Sequence, residues 1–144
     1  MTRFLMSLDE SVDLVKYAFS NAKNGDLFVR KSPAATVEVL LHAIEKICNK
    51  KAKVKVIGSR HGEKKHETLV SREELIRAKD LGDYYRIPAD NRNLNYEEYI
   101  SEGEIKLNLI NDYTSETTQR LDIDSTAKLL LENTQVNEYL KYYG

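Results

Sequence analysis

The 144-residue sequence has no tryptophan, one cysteine and two prolines, and its 22 Lys+Arg nearly cancel its 23 Asp+Glu. Each shortage excludes something. A lone Cys48 cannot close an internal disulfide. Lying on the apolar face of an expected helix, it reads as a small buried hydrophobe in a reducing compartment, and nothing nearby would lower its pKa enough to make a nucleophile. A net charge of -1 supplies no chain-wide field to attract polyanions or membranes. The longest apolar runs are a few residues, against roughly twenty needed to cross a bilayer, and no signal-peptide core opens the chain. The expectation is a cytoplasmic protein with no membrane partner.

Catalytic signatures are missing too. There is no Gly-x-Gly-x-x-Gly or Gly-x-x-Gly-x-x-Gly turn, none of the nine tyrosines has a lysine four residues later, and no serine sits on a nucleophile elbow. Hydrophobic residues at 41% and charged residues at 31% still fit a folded domain, large enough to bury a core.

What is present is local patterning. Ser7-Leu8-Asp9-Glu10 has capping-box spacing and predicts a helix whose Leu8, Val12, Val15, Phe19 and Ala22 recur on one face until Asn24-Gly25 stops it. Leu27-Phe28-Val29 predicts a short buried strand. Pro33 fits a helix entry, followed by a stripe of Val37, Leu40, Leu41, Ile44 and Ile47 ending at Asn49. Lys53-Val54-Lys55-Val56-Ile57 alternates like a strand ending at Gly58. Strand, helix and strand in this order predict a parallel, right-handed β-α-β crossover. Ser71-Arg72-Glu73-Glu74 opens another short helix, Asp80-Leu81-Gly82-Asp83 is turn chemistry, and Tyr84 to Ile87 reads as a strand stopped by Pro88. Ala89 to Tyr99 is Asn- and Tyr-rich like a functional loop, Glu104 to Ile110 alternates loosely, and Thr126 to Glu132 and Gln135 to Tyr142 predict two terminal helices. The expected architecture is α/β: a small parallel unit in residues 1–80, then an irregular α+β extension in residues 81–144.

The chemistry concentrates in Gly58-Ser59-Arg60-His61-Gly62-Glu63-Lys64-Lys65, directly after an expected strand. Loops beyond strand ends form ligand crevices in parallel α/β folds. A glycine-bracketed Arg60 can present its planar fork to a phosphate, and Glu63 can accept from sugar hydroxyls. The bland reading is a solvated turn in which Arg60 and Glu63 pair with each other. Lys46, Lys50, Lys51, Lys53 and Lys55 add a basic stretch, either a solvated face or an anion surface. No aromatics interleave with them to stack bases, which argues against nucleic acid. His61, Glu63, His66 and Glu67 lack the His-Glu-x-x-His spacing of a helical metal site. His42 reads as structural, and the Tyr84-Tyr85 and Tyr142-Tyr143 pairs as packing groups.

Met1 to Glu10, Gly25-Asp26-Leu27-Phe28-Val29 and Ile57 to Glu67, together with Asp83 to Asp90 and Asn91 to Tyr96, resemble the C-terminal half of the capsular-polysaccharide UDP-N-acetylglucosamine 4,6-dehydratase/5-epimerases. These are extended short-chain dehydrogenase/reductases, in which a Rossmann domain precedes a smaller substrate lobe. The resemblance spans nearly the whole chain. It implies that Arg3 and Arg60 hold a UDP pyrophosphate and that Glu63 holds the ribose. It also implies a parent enzyme using NAD or NADP to oxidise the sugar at C4, eliminate water across C5 and C6 and, in some members, invert C5. The Rossmann domain, Gly-rich loop and Tyr-x-x-x-Lys of that family lie upstream of the matched region, so this chain alone is not expected to bind the cofactor or catalyse. Met1 falls on a methionine internal to the family motif, which implies a split, truncated or cropped parent. The implied partners are a UDP-sugar, the missing Rossmann half on the same or a separate chain, and further copies in a homo-oligomeric parent. A UDP-glucose/galactose 4-epimerase shares the same UDP anchor and is the near alternative. A non-catalytic anion-binding or oligomerisation module, or a gene relic, is the alternative of another class.

Overall fold

The computed structural model describes residues 1–89 and 110–143. In chain order the elements are β1 (Thr2–Phe4), α1 (Leu8–Asn21), β2 (Leu27–Arg30), β3 (Ala34–Thr36), α2 (Val37–Cys48), β4 (Thr68–Val70), α3 (Arg72–Arg77), β5 (Lys79–Asp80), β6 (Tyr84–Ile87), β7 (Tyr113–Thr114), α4 (Ile123–Leu131) and α5 (Thr134–Tyr143). They divide into two compact units. One comprises Met1–Leu8, Ser32–Glu67 and Ser115–Gly144; the other comprises Asp9–Lys31 and Thr68–Thr114.

In the first unit β1 and β3 form an antiparallel ribbon with Arg3 opposite Ala35. The chain then turns into α2, because the Thr36 hydroxyl accepts from the Val39 N–H while its own backbone stays extended. Asn49, at φ 49°, ends α2 in the left-handed conformation that asparagine tolerates. Glu45 reinforces this end: its carboxylate accepts from the Ala52 N–H (2.9 Å), from Lys51 Nζ (3.0 Å) and from His42 Nδ1 (3.0 Å). Ala34 and Ala35 are buried on β3, and the buried Ala43 of α2 and Ala127 of α4 let those two helices approach closely. Ile44, Ile47 and Cys48 line an apolar cleft with Leu130, Val136 and Leu140.

In the second unit β2, β6 and β5 form an antiparallel sheet, and β4 pairs with β7. Tyr17 of α1 stacks on Tyr84 with ring centroids 4.3 Å apart and meets Phe28 edge-on at 5.7 Å. Tyr85 meets Tyr113 edge-on at 5.4 Å, with Lys31 Nζ 4.4 Å above its ring. The capping box at Ser71–Glu74 forms as its spacing predicts, with both reciprocal hydrogen bonds present.

The architecture is mixed α/β, but the expected parallel β-α-β unit is not there. Every named strand pair among the described residues is antiparallel. Residues 53–57 form no strand, with Val54, Val56 and Ile57 exposed. Alternating side chains make a segment competent to extend; only a neighbouring ladder makes it a strand. The partner of β2 is instead β6, delivered by the tight turn at Gly82 (φ 81°). The helix expected from Pro33 begins at Val37, because Ala34–Thr36 is drawn into pairing with β1. The α1 stripe has the predicted period, yet Leu8, Val12, Val15 and Phe19 are all exposed. The loop expected over Ala89 to Tyr99 falls outside the described residues beyond Ala89, as does the alternating segment from Glu104 before Ile110.

Candidate functional site

The glycine-bracketed loop lies in the first unit, alongside β1. Gly58 (φ 73°) and Gly62 (φ 79°) adopt the left-handed region, with open space where a Cβ would stand. Between them the chain closes a turn on itself: the Arg60 N–H donates to Glu63 Oε2 at 3.0 Å, and the Glu63 N–H donates to the Arg60 carbonyl at 3.1 Å. Arg60 and Glu63 therefore do meet, but through the Arg60 backbone. The Arg60 side chain is exposed, and its guanidinium makes no hydrogen bond or ion pair among the described residues.

Arg3 ties the far end of the loop to β1. Its Nη1 donates to the Thr2 carbonyl at 2.7 Å and, at 3.4 Å, to that of Lys65; its Nη2 donates to the Lys64 carbonyl at 3.1 Å. Its charge faces Glu67 at 3.5 Å and Glu63 at 4.0 Å. The Thr2 N–H completes the seam by donating to the Lys65 carbonyl at 2.9 Å. The three residues singled out from sequence, Arg3, Arg60 and Glu63, thus belong to one cluster. Of the two guanidiniums, that of Arg3 is committed to protein carbonyls and that of Arg60 is uncommitted.

Sequence reasoning missed the layer behind this loop. Thr2 and Ser115 are buried, and their hydroxyl oxygens lie 2.7 Å apart. The Thr2 hydroxyl also meets His66 Nδ1 at 2.8 Å, while His66 Nε2 lies 3.7 Å from Glu116. Ser115 Oγ accepts from the Glu67 N–H at 2.8 Å and donates to the Thr2 carbonyl at 3.2 Å, and the Ser115 N–H donates to the Glu67 carbonyl at 2.8 Å. No local spacing signals contacts between residue 2 and residues 66 and 115.

The other candidates resolve into structure. His66 goes to Thr2, Glu67 to Arg3 and Glu63 to the loop backbone. Among the described residues no three His, Cys, Asp or Glu side chains gather as a metal site. The basic stretch is partly neutralised, Lys46 by the distant Asp124 at 2.6 Å and Lys51 by the nearby Glu45 at 3.0 Å. The His42 hydrogen bond, followed by those from the Ala52 N–H and Lys51, holds the Glu45 carboxyl down to about 2. No helix of the described residues is long and apolar enough to cross a membrane.

The Gly58–Gly62 loop does not have the form of a dinucleotide-binding turn. A dinucleotide cofactor needs a glycine turn running directly into a helix N-terminus, whereas the Gly58–Gly62 loop leads into β4 before any helix starts at Arg72.

Residues 1–89 match the family described as polysaccharide biosynthesis protein, and residues 90–137 match the family described as polysaccharide biosynthesis protein C-terminal. A protein of Rickettsia bellii named UDP-glucose 4-epimerase is 57% identical over 141 residues, which is 98% of this chain and 41% of that protein. One of the same name from Rickettsia akari is 55% identical over the same shares. A solved structure, described as Pen from Bacillus thuringiensis, superposes with a TM-score of 0.70 at 25% identity, covering 92% of this chain and 38% of that one. The chain thus spans about two-fifths of the length of the relatives it matches. With both family regions present in order along one continuous stretch, this chain belongs to the polysaccharide biosynthesis protein family.

Proposed function

We propose that the chain is the UDP-sugar grip of an NAD(P)-dependent sugar-nucleotide epimerase or dehydratase for capsule or surface polysaccharide synthesis, working in the cytoplasm with the part of the enzyme that this chain does not span. The observation that carries this reading is the exposed, uncommitted Arg60 guanidinium on a glycine-bracketed turn, with the Glu63 carboxylate closing the same turn. A guanidinium in that setting can meet a diphosphate with two parallel hydrogen bonds. The other oxygen of Glu63, 4.0 Å from Arg3 Nη2, then lies beside the same turn to accept from ribose hydroxyls. Arg3 adds positive charge and holds residues 64 and 65 in place through their carbonyls. We assign the grip to residues 1–80 and a supporting role to the extension in residues 81–144.

Fixing the nucleotide would hold the sugar ring in a reactive position, drawing on binding energy far from the reacting carbons. Hydride chemistry would reside with the remainder of the enzyme. Two features support the need for that remainder: the 41% share of the relatives' length, and an α1 stripe that leaves Phe19 87% exposed. The name UDP-glucose 4-epimerase borne by the Rickettsia relatives favours C4 epimerisation over loss of water across C5 and C6.

Calorimetric titration with UDP tests the grip. Wild type should release heat, and Arg60→Ala should bind about tenfold or more weakly, as expected for losing a charge-assisted bidentate contact. Equal affinities would remove Arg60 from the site. Joining the chain to a cofactor-binding half and following UDP-glucose and UDP-N-acetylglucosamine by NMR would separate an epimer from a 4-keto-6-deoxy product. An inactive, well-folded complex would count against the enzymatic reading.

A further inference from the structure

We infer that Ser115, acting through Thr2 and His66, is a positioning residue that sets the shape of the nucleotide loop; the inference rests on the UDP reading of that loop. Ser115 lies in the region that matches the C-terminal family, while the loop belongs to the region matched by the first. Residues of the two regions meet just past the end of the loop, at Glu67, beside the contacts of Ser115 with Thr2 and of Glu116 with His66. Glu67 gives its N–H to Ser115 Oγ at 2.8 Å, takes the Ser115 N–H on its carbonyl at 2.8 Å, and turns its carboxylate towards Arg3 at 3.5 Å. Glu67 is thus held from behind by Ser115 and in front by the same guanidinium that holds the carbonyls of Lys64 and Lys65.

The hydroxyl chemistry makes this arrangement specific. Ser115 Oγ has one proton and two acceptor sites, and Thr2 Oγ1 the same. If Ser115 donates to the Thr2 carbonyl (3.2 Å), the Thr2 hydroxyl can donate to Ser115 Oγ (2.7 Å), and His66 Nδ1–H then donates to Thr2 Oγ1 (2.8 Å). Every proton has an acceptor, and the remaining ring nitrogen points towards Glu116 at 3.7 Å. With Thr2 3% and Ser115 0% exposed, water cannot replace a lost partner. The segment after Ser115 is anchored independently: the Thr118 hydroxyl donates to the Ser32 carbonyl at 2.9 Å, the Ala34 N–H to the Gln119 carbonyl at 2.9 Å, and the Leu121 N–H to the Ala34 carbonyl at 2.9 Å. Removing the Ser115 hydroxyl therefore loosens the Glu67 end of the loop, leaving the Glu67 N–H without its acceptor, while the segment that carries Ser115 stays anchored.

Hydrogen exchange on the full chain, read at the Glu67 and Thr2 amides and in α2, tests the inference alongside UDP titration. Ser115→Ala and Thr2→Val should each speed exchange at the Glu67 and Thr2 amides and weaken UDP binding, both by about tenfold, the cost of one buried hydrogen bond. Exchange in α2 should not change. Thr2→Ser, which keeps the hydroxyl, should restore wild-type behaviour in both measurements. If Ser115→Ala fails to fold, the Thr2→Val and Thr2→Ser pair decides. Unchanged exchange at Glu67 in the hydroxyl-less variants would overturn the inference, as would equal acceleration in α2 or a Thr2→Ser variant indistinguishable from Thr2→Val. A released loop with unaltered UDP affinity would overturn the positioning role. A wild type whose loop is protected but which gives no heat with UDP would sink the UDP reading itself, with loop holding still judged by exchange.

Discussion

Gly25 sits where two demands meet. Its φ of 82° lies in the left-handed region, and a Cβ built there would stand 2.8 Å from the Ala89 Cβ. The next residue, Asp26, accepts from the Lys23 N–H and from Arg86, each at 2.7 Å, and these contacts hold its carboxyl below the usual carboxylate range, the Lys23 N–H contributing most. Gly25→Ala should therefore cost about 1–3 kcal/mol, combining backbone strain with steric conflict, readable as a lowered urea midpoint at unchanged slope. Glu45 carries a prediction in pH. Its carboxyl is lowered from the ordinary 4.5 to about 2, so the fold prefers the ionised form. The stability it contributes is full above about 4.5 and is lost as the pH falls through about 2. Carbon NMR of the Glu45 carboxyl should show a midpoint near 2; an ordinary midpoint would mean that the closure around Asn49 does not form in solution.

At the scale of elements, α2 and α4 form the principal helix contact of the first unit, through small side chains. Thr126 is fully buried on α4, and its hydroxyl finds no hydrogen-bond partner among the described residues. A hydroxyl in that position costs desolvation and returns nothing. Thr126→Val, nearly the same shape, should raise stability by up to about 1 kcal/mol, seen as a higher thermal midpoint; a loss of stability would reveal a bridging water or an unseen acceptor. The α1 helix poses the opposite case. Its apolar residues at 8, 12, 15 and 19 draw one stripe, and none of its residues is buried. A stripe of this kind needs a covering surface.

Over the whole molecule, the chain passes between its two units at residues 8/9, 31/32, 67/68 and 114/115, so neither unit is a continuous stretch of sequence. The covering surface proposed for α1 is the remainder of the enzyme. Phe19→Glu should reduce self-association of the isolated chain and weaken its assembly with a cofactor-binding half, measured by sedimentation. If both quantities stay unchanged, the stripe has another role.

The local elements were legible because their causes lie within a few residues. The capping box of Ser71 and Glu74, the end of α2 at Asn49, the turn at Gly82 and the 3.6-residue stripes of α1 and α2 all formed where the sequence indicated. So did the grouping of Arg60 with Glu63, three residues apart on one turn. Tertiary structure alone decided which extended segments became strands. Val54, Val56 and Ile57 alternate well yet pair with nothing among the described residues, while Tyr84–Ile87 claims β2. It also decided that Arg3 would join the loop, and that Thr2 would meet His66 and Ser115 across 64 and 113 residues of chain. The physical reason is the same in each case. Helix caps and turns satisfy their own backbone groups locally, whereas a strand ladder or a buried hydroxyl network exists only when a distant partner arrives.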